Sequence, residues 1–234
     1  MFCLIKLLSR ALLALTFATV LAACGGGDSR PKEDPAPGTN NPIDTGDSGQ
    51  VDHSQVTRQW ALNNEQSSLF FVTTKKHHVS EKAHFNALSG SVYSDGRSVI
   101  EVDLSSVDTL NAVRDQRMKD VLFETATFAR ASAEIKINYD LVENLAVGAE
   151  RELTGNLTLD LHGVSAQLPV SLRMARLSDK RILVRTLAPV LVNGLDFSMG
   201  AGFDELKRLA SLTSIGATVP VSVQLIFERV EEGQ

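Results

Sequence analysis

Residues 153–174 read LTGNLTLDLHGVSAQLPVSLRM and carry the clearest structural signal in the chain. From Leu153 to Leu161 every second residue is leucine or glycine, and the residues between them are polar. The alternation resumes from Ala166 to Met174, after the pair His162-Gly163. A period of two places the apolar side chains on one face of a strand, and two such runs around a short turn are typical of an antiparallel hairpin. The stretch therefore predicts two long strands that bury one face.

The same period recurs through the C-terminal three quarters of the chain. It predicts further strands at residues 68–74, 89–93, 100–104, 133–139, 181–192 and 218–229. Two stretches, residues 111–123 and 203–212, space their apolar residues by three or four and predict short helices. About eight antiparallel strands with two short helices favour a barrel or a sandwich. A barrel of that size is filled by its own side chains or holds one small ligand, and alternation alone leaves both open.

The first 23 residues have the order of a secretory signal, with Lys6 and Arg10 followed by an apolar run and then small residues. The segment Leu21-Ala22-Ala23-Cys24 resembles the bacterial lipobox, in which the cysteine receives a diacylglycerol and becomes the mature N-terminus. We therefore expect residues 1–23 to be a lipoprotein signal peptide and Cys24 to be the lipidation site that anchors the chain to a membrane. Glycine after the cysteine, by resemblance to enterobacterial sorting, favours the outer membrane of a bacterial envelope, facing the periplasm.

Composition divides the remaining chain into two parts. Residues 24–54 are rich in Gly, Pro, Asp and Asn and predict a disordered tether. Residues 55–234 are long enough for one domain with a sizeable core. The net charge of −5 becomes more negative when the leader is removed, and no basic stripe is present. This argues against nucleic acid as a partner and against strong attraction to anionic lipid surfaces.

Residues 105–123, SSVDTLNAVRDQRMKDVLF, carry a resemblance to a known family. This segment resembles the YceI-like polyprenyl-binding family, whose pattern of a Ser-x-x-Thr turn, Arg-Asp and an apolar pair falls on Ser106, Thr109, Arg114-Asp115 and Leu122-Phe123. The family resemblance extends to four other parts of the chain: Trp60 at the start of the domain, HFNALSG at 84–90, the hairpin at 153–174 and SIGATVPVSVQLIFER at 214–229. The resemblance implies an all-β, extended, antiparallel, lipocalin-like barrel of about eight strands with two short helices. It also implies a lumen that takes a long apolar chain, such as a polyprenyl or quinone tail.

The candidate ligand-binding residues combine apolar positions on one face of the strands and first helix with the family motifs. They are Phe71, His78, Phe85, Ile100, Val102, Arg114, Asp115, Met118, Leu122, Phe123, Ile135, Ile137, Leu157, Leu159, Val170, Leu172, Asp196, Phe197, Val221 and Val223. Arg114 has two interpretations. It contacts a pyrophosphate, quinone or amide head group, or it forms a structural ion pair or cap with Asp115 at the barrel mouth.

No pattern in the sequence indicates catalysis or a bound metal. His77 and His78 are neighbours whose side chains would leave a strand on opposite faces, so the histidines of residues 77–84 are interpreted as surface groups, with one of them at the cavity mouth. Gly200 and Gly202 lack the third glycine of a dinucleotide fingerprint and are interpreted as turn residues. No G-x-S-x-G elbow occurs. We expect no enzyme activity, no metal and no cofactor.

Two function classes remain. The first is a periplasmic protein that sequesters or carries a long-chain isoprenoid in the barrel lumen. The second is an envelope lipoprotein with a filled barrel that binds a protein partner or has a structural role. A homodimer is compatible with either class. A roomy, dry lumen would favour the first.

Overall fold

The computed structural model describes residues 56–231. The predicted signal peptide, the lipidation site Cys24 and the tether lie outside the described residues. Within residues 56–231, no helix is long and apolar enough to cross a membrane.

The described chain is mostly β-structure, with twelve strand segments. They are β1 (Arg58–Leu62), β2 (Ser68–Lys75), β3 (Val79–Phe85), β4 (Leu88–Tyr93), β5 (Arg97–Asp103), β6 (Val107–Asp108), β7 (Arg130–Lys136), β8 (Glu150–Leu161), β9 (Val164–Ser178), β10 (Arg181–Thr186), β11 (Val190–Asn193) and β12 (Thr218–Arg229). All pairings between them are antiparallel, and β1 closes the sheet by pairing with both β4 and β12.

These segments form a closed barrel of eight strands, which confirms the predicted fold class. β12 shows how twelve segments become eight strands. One edge of β12 pairs with β2 and then β1, and the other edge pairs with β11 and then β10. Each of these pairs of segments is therefore one bent barrel strand. The same holds for β3 with β4, which pair with β2 and β1, and for β6 with β5, which pair with β3 and β4, so that eight strands result. The predicted strand at residues 181–192 is broken in this way before Pro189, whose missing N–H cannot join the ladder.

The hairpin predicted from residues 153–174 is confirmed by β8 and β9, which pair in register from Leu161↔Val164 to Glu150↔Ala175. His162 and Gly163 both have positive φ, at 53° and 76°. A two-residue turn with two positive φ angles has the twist that fits between right-twisted strands. The turn therefore fixes the register in which β8 and β9 pair.

Three short helices lie against the barrel: α1 (Ala112–Arg117), α2 (Asp140–Glu143) and α3 (Gly200–Leu209). α1 continues into a π-helical turn, Met118–Leu122, which accounts for the rest of the predicted helix at 111–123. α3 begins three residues before its predicted start, so the interpretation of Gly200 and Gly202 as turn residues is wrong. A Cβ at Gly202 would lie 2.7 Å from the Val121 carbonyl oxygen, so glycine lets α3 approach the π-helical turn closely.

One end of the barrel is closed by a polar cluster around Trp60, which is 0 % exposed. The guanidinium carbons of Arg176 and Arg229 lie 5.5 Å and 5.3 Å from the Trp60 ring centroid. Arg229 donates to both carboxylate oxygens of Glu143, at 2.9 and 3.0 Å, and the Tyr139 hydroxyl donates to Glu143 at 2.6 Å. Glu143 and Arg229 are half-buried and neutralise each other, and the buried Arg176 donates to the Val142 and Asp179 carbonyls, so the cluster closes the base of the barrel.

Candidate functional site: an apolar lumen with a charged mouth

The barrel encloses two adjoining cavities, an upper cavity of about 510 Å³ and a lower cavity of about 190 Å³. Their walls share Leu69, Val102, Ala131, Leu159, Val192 and Val221. The lower cavity ends at Trp60 and Phe227, next to the closed base. Because six side chains line both cavities, the cavities lie next to each other, and we call the two together the lumen of the barrel.

The upper cavity reaches solvent beside α1. Val113 on α1 lines the cavity and is also 62 % exposed. The rim around it is built from α1, from the end of β2 and from the segment after α3. That segment is tied to the turn after β2, because the backbone N–H of Lys76 donates to the Ser214 carbonyl at 3.0 Å. We call this end of the barrel the mouth.

The π-helical turn brings three apolar residues to the wall of the upper cavity. The Phe123 N–H donates to the Met118 carbonyl at 2.8 Å, which closes the wide turn. Met118, Leu122 and Phe123 all line the cavity as a result. Isolated π-helical turns are rare in proteins as a whole, and those that occur are often found at functional sites.

Four charged residues lie in the wall of the upper cavity, all at the mouth: Lys75, Glu81, Arg114 and Arg117. Glu81 accepts from Lys75 and from Arg114, each at 2.7 Å. The hydrogen bond from Lys75 is the largest of the effects that hold the pKa of Glu81 below its ordinary value, and it outweighs the opposing effect of burial. Within residues 56–231, Arg117 has no carboxylate within ion-pair distance. The mouth therefore carries a net positive charge.

The structure brings most of the predicted ligand-binding residues together around the lumen. Phe71, Phe85, Val102, Arg114, Met118, Leu122, Phe123, Leu159 and Val221 line the upper cavity, and Ile100, Ile135, Ile137, Leu157, Val170, Leu172 and Val223 line the lower one, with Val102, Leu159 and Val221 in both. Whether they contact a ligand stays a prediction.

The predicted ion pair between Arg114 and Asp115 is wrong. Consecutive helical residues do not face each other, and the two side chains lie on different sides of α1. Asp115 accepts from the backbone N–H and the hydroxyl of Thr109, at 2.8 and 2.5 Å, outside both cavities. Asp115 is thus a structural cap for the loop before α1, and the carboxylate that pairs with Arg114 is Glu81.

Three further predicted residues lie outside the lumen. His78 is exposed in the turn between β2 and β3 and lines neither cavity, so the prediction that it lines the cavity mouth is wrong. Asp196 is exposed and accepts from the Asn193 amide at 3.0 Å. Phe197 is fully buried, and it packs in the core without lining either cavity. The positions of Asp196 and Phe197 follow from the short 3₁₀ helix Gly194–Phe197, which turns the chain before α3.

Sequence reasoning missed several residues of the mouth and the upper wall. These include Lys75, Glu81, Val113, Arg117, Phe203, Leu206 and Ile215. A signal for Glu81 was present, because Glu81, Ala83 and Phe85 share one face of β3 and Phe85 carries a family motif. Arg117 follows Arg114 by three residues, and residues at this spacing share one face of a helix, so the predicted helix already indicated that Arg117 lies beside Arg114.

An antiparallel barrel closed around a long apolar lumen, open at one end, defines a lipocalin-like architecture. The sequence profile of the YceI-like domain matches residues 60–227, so this chain belongs to the YceI-like family. Among solved structures, the chain is 40% identical to a polyisoprenoid-binding domain from Saccharophagus degradans implicated in plant cell wall breakdown. That match has a TM-score of 0.73 and covers 74% of this chain and all of the other.

A second solved structure, that of Burkholderia cenocepacia BcnA, shares the fold at 15% identity. Its TM-score is 0.55, and the match covers 70% of this chain and 98% of the other. No curated protein matches the chain.

Proposed function

We propose that the protein binds a long-chain isoprenoid in its lumen, with the apolar tail in the two cavities and the polar head at the mouth. The observation that carries the proposal is the pair of adjoining apolar cavities, open at the mouth and closed at Trp60. The 40% identical domain described as polyisoprenoid-binding supports the same ligand class.

The energetics of an empty lumen support a bound tail. The lower cavity is lined mainly by apolar side chains, with Ser98, Ser132, Glu134 and Thr186 among the few polar ones, so water inside it would find few hydrogen-bond partners. At roughly 24 cal/mol per Å³ of unfilled volume, a cavity of 190 Å³ costs about 5 kcal/mol. Whole domains have net stabilities of only about 5–15 kcal/mol. An apolar chain that fills the lumen would recover that energy.

The tail supplies most of the binding energy in this proposal. Each five-carbon isoprene unit that leaves water contributes about 4 kcal/mol at about 0.8 kcal/mol per carbon, while one charged contact to a head group adds about 1–3 kcal/mol. Arg114 and Arg117 would therefore select among lipids rather than set the overall affinity. A quinone head and a polyprenyl phosphate head could both be selected at the mouth in this way.

We further propose that the protein works in the periplasm, anchored through Cys24 to the outer membrane. The lipobox-like segment before Cys24 and the glycine after it support this location. The open lumen argues against the filled barrel of the alternative interaction protein. A homodimer stays a prediction.

The test is an equilibrium titration with isoprenoid alcohols of increasing length. Affinity should rise with each added unit until the tail reaches Trp60, and then level off because the base is closed. Affinity that does not depend on chain length, or no binding at all, would overturn the proposal.

A further inference from the structure

Leu110, just before α1, is the most exposed large apolar residue of the described chain, at 86 %. Its backbone φ is +60°, in the left-handed region. Leucine rarely adopts this conformation because its Cβ approaches the following carbonyl oxygen, and glycine and asparagine occur there far more often. Both the exposure and the backbone conformation are unfavourable for leucine, which points to a role outside the fold.

The loop around Leu110 is held rigidly in this conformation. Asp108 accepts from the Leu110 backbone N–H at 2.7 Å, and Asp115 accepts from Thr109 on the other side. Asn111 caps α1 by accepting from the Arg114 N–H at 3.0 Å. Leu110 is therefore presented to solvent by a hydrogen-bonded frame on both of its sides.

Val113 extends this apolar tip to the lumen. It follows Leu110 by three residues, is 62 % exposed and lines the upper cavity. Asn111 lines both the upper cavity and the groove that contains Leu110, so the exposed side chains of Leu110 and Val113 lie on either side of Asn111 at the mouth.

The mouth beside the tip carries the cations that would meet an anionic surface. Lys75, Arg114 and Arg117 outnumber Glu81 at the mouth, although the whole chain has a net charge of −5. The groove beside Leu110 adds one cation, Lys119, and two carboxylates, Asp108 and Asp115, which are engaged in hydrogen bonds to the backbone of Leu110 and Thr109. The mouth and the groove together therefore carry four cations and three carboxylates. The expectation of little attraction to anionic lipid followed from the average charge, and the local charge at the mouth has the opposite sign.

We propose that Leu110 and Val113 form a bilayer-contact surface, through which an apolar ligand passes between an anionic membrane and the lumen without crossing water. This rests on the proposed function, since it gives the lumen its source of lipid. Insertion of a leucine at the headgroup boundary gains hydrophobic free energy, and the surrounding cations attract anionic headgroups.

The test measures transfer of a fluorescent polyprenyl probe from vesicles of phosphatidylethanolamine and phosphatidylglycerol to the full chain. The variant is Leu110→Asn, which removes the apolar tip and places a residue that tolerates positive φ. Its melting temperature should equal or exceed that of the wild type. Its transfer rate should fall about five-fold to ten-fold, since a leucine in the interface loses part of its full burial energy. Omitting phosphatidylglycerol should slow the wild type.

The matched control is Val147→Asn. Val147 is 55 % exposed in the loop before β8, and the next residue, Gly148, donates to the Arg176 carbonyl at the closed base. This variant should transfer the probe at the wild-type rate. Equal slowing of both variants, or a wild-type rate in Leu110→Asn, would overturn the proposal. So would a dimer that forms without vesicles and is lost in Leu110→Asn, because the patch would then belong to a second copy.

A second readout separates this proposal from the proposed function. Binding of the same probe added from solution, without vesicles, should be unchanged in Leu110→Asn, because Leu110 does not line the upper or the lower cavity. If the wild type does not bind the probe from solution, the proposed function is wrong. If it binds normally and Leu110→Asn transfers normally, only the bilayer contact is wrong.

Discussion

Replacing Ala131 by phenylalanine would place an aromatic ring where the two cavities meet. Ala131 lies on β7, is 7 % exposed and lines both cavities. A dry apolar cavity of about 150 Å³ accepts benzene, so the 190 Å³ of the lower cavity has room for the added ring. Filling it should leave the ligand-free protein as stable as before or stabilise it by about 1–2 kcal/mol. For a domain of this size the latter raises Tm by about 2–8 °C.

The same ring should obstruct the ligand. It takes space from at least one isoprene unit, worth about 4 kcal/mol when removed from water, so long-chain isoprenoids should bind at least about ten-fold more weakly. Shorter chains that end in the upper cavity should be affected less. Fluorescence titration against chain length and thermal unfolding of delipidated protein provide the two measurements.

Ala83→Phe is the matched control. Ala83 lies on β3, is 2 % exposed and lines neither of the two cavities. The ring would overpack the core there, at a cost of about 1–3 kcal/mol. If Ala131→Phe destabilised the protein as much as Ala83→Phe and left binding of long chains intact, the lumen would not be the ligand space.

Three further predictions concern the mouth, the base and the anchor. Arg117→Gln should weaken a polyprenyl phosphate about ten-fold and the matching alcohol less than about three-fold, because only the phosphate loses a charged contact; equal losses in a competition assay would contradict this. Burial alone raises the pKa of Glu143, but hydrogen bonds from Tyr139 and Arg229 hold it below its ordinary value of 4.5. Its carboxylate therefore stabilises the fold above that pH, and this stability is lost as the pH falls through the lowered pKa. Glu143→Gln should be less stable near neutral pH and show a flatter acid unfolding profile, whereas parallel profiles would refute the role of the pair. Cys24→Ser should abolish labelling by a fatty-acid analogue, and equal labelling of both proteins would exclude the anchor.

The hairpin of β8 and β9 could be predicted because three local signals agreed. The leucines alternate over the whole length, the turn residues suit positive φ, and no charge interrupts the buried face of residues 153–161. The residues of this hairpin that face the lumen could be predicted directly from the period of two. Whether the lumen was open could not follow, because the volume inside a barrel depends on how side chains from all strands meet.

The mouth could be predicted only in part, because its contacts join residues far apart in the chain. Glu81 reaches Arg114 over 33 positions, and nothing near either residue indicates the pair. β3 itself was missed since Glu81 puts a charge on its inward face, which breaks the apolar alternation of residues 79–85. Leu110 likewise looks unremarkable in sequence, and only its backbone angle and exposure distinguish it.

Native mass spectrometry of the purified full chain, followed by organic extraction, tests most directly whether the lumen holds an isoprenoid. We predict a one-to-one complex whose added mass matches a lipid with an isoprenoid tail, together with a fall in Tm when that lipid is removed. A protein that carries no lipid, and whose Tm does not change when a long-chain isoprenoid is added, would contradict the central claim.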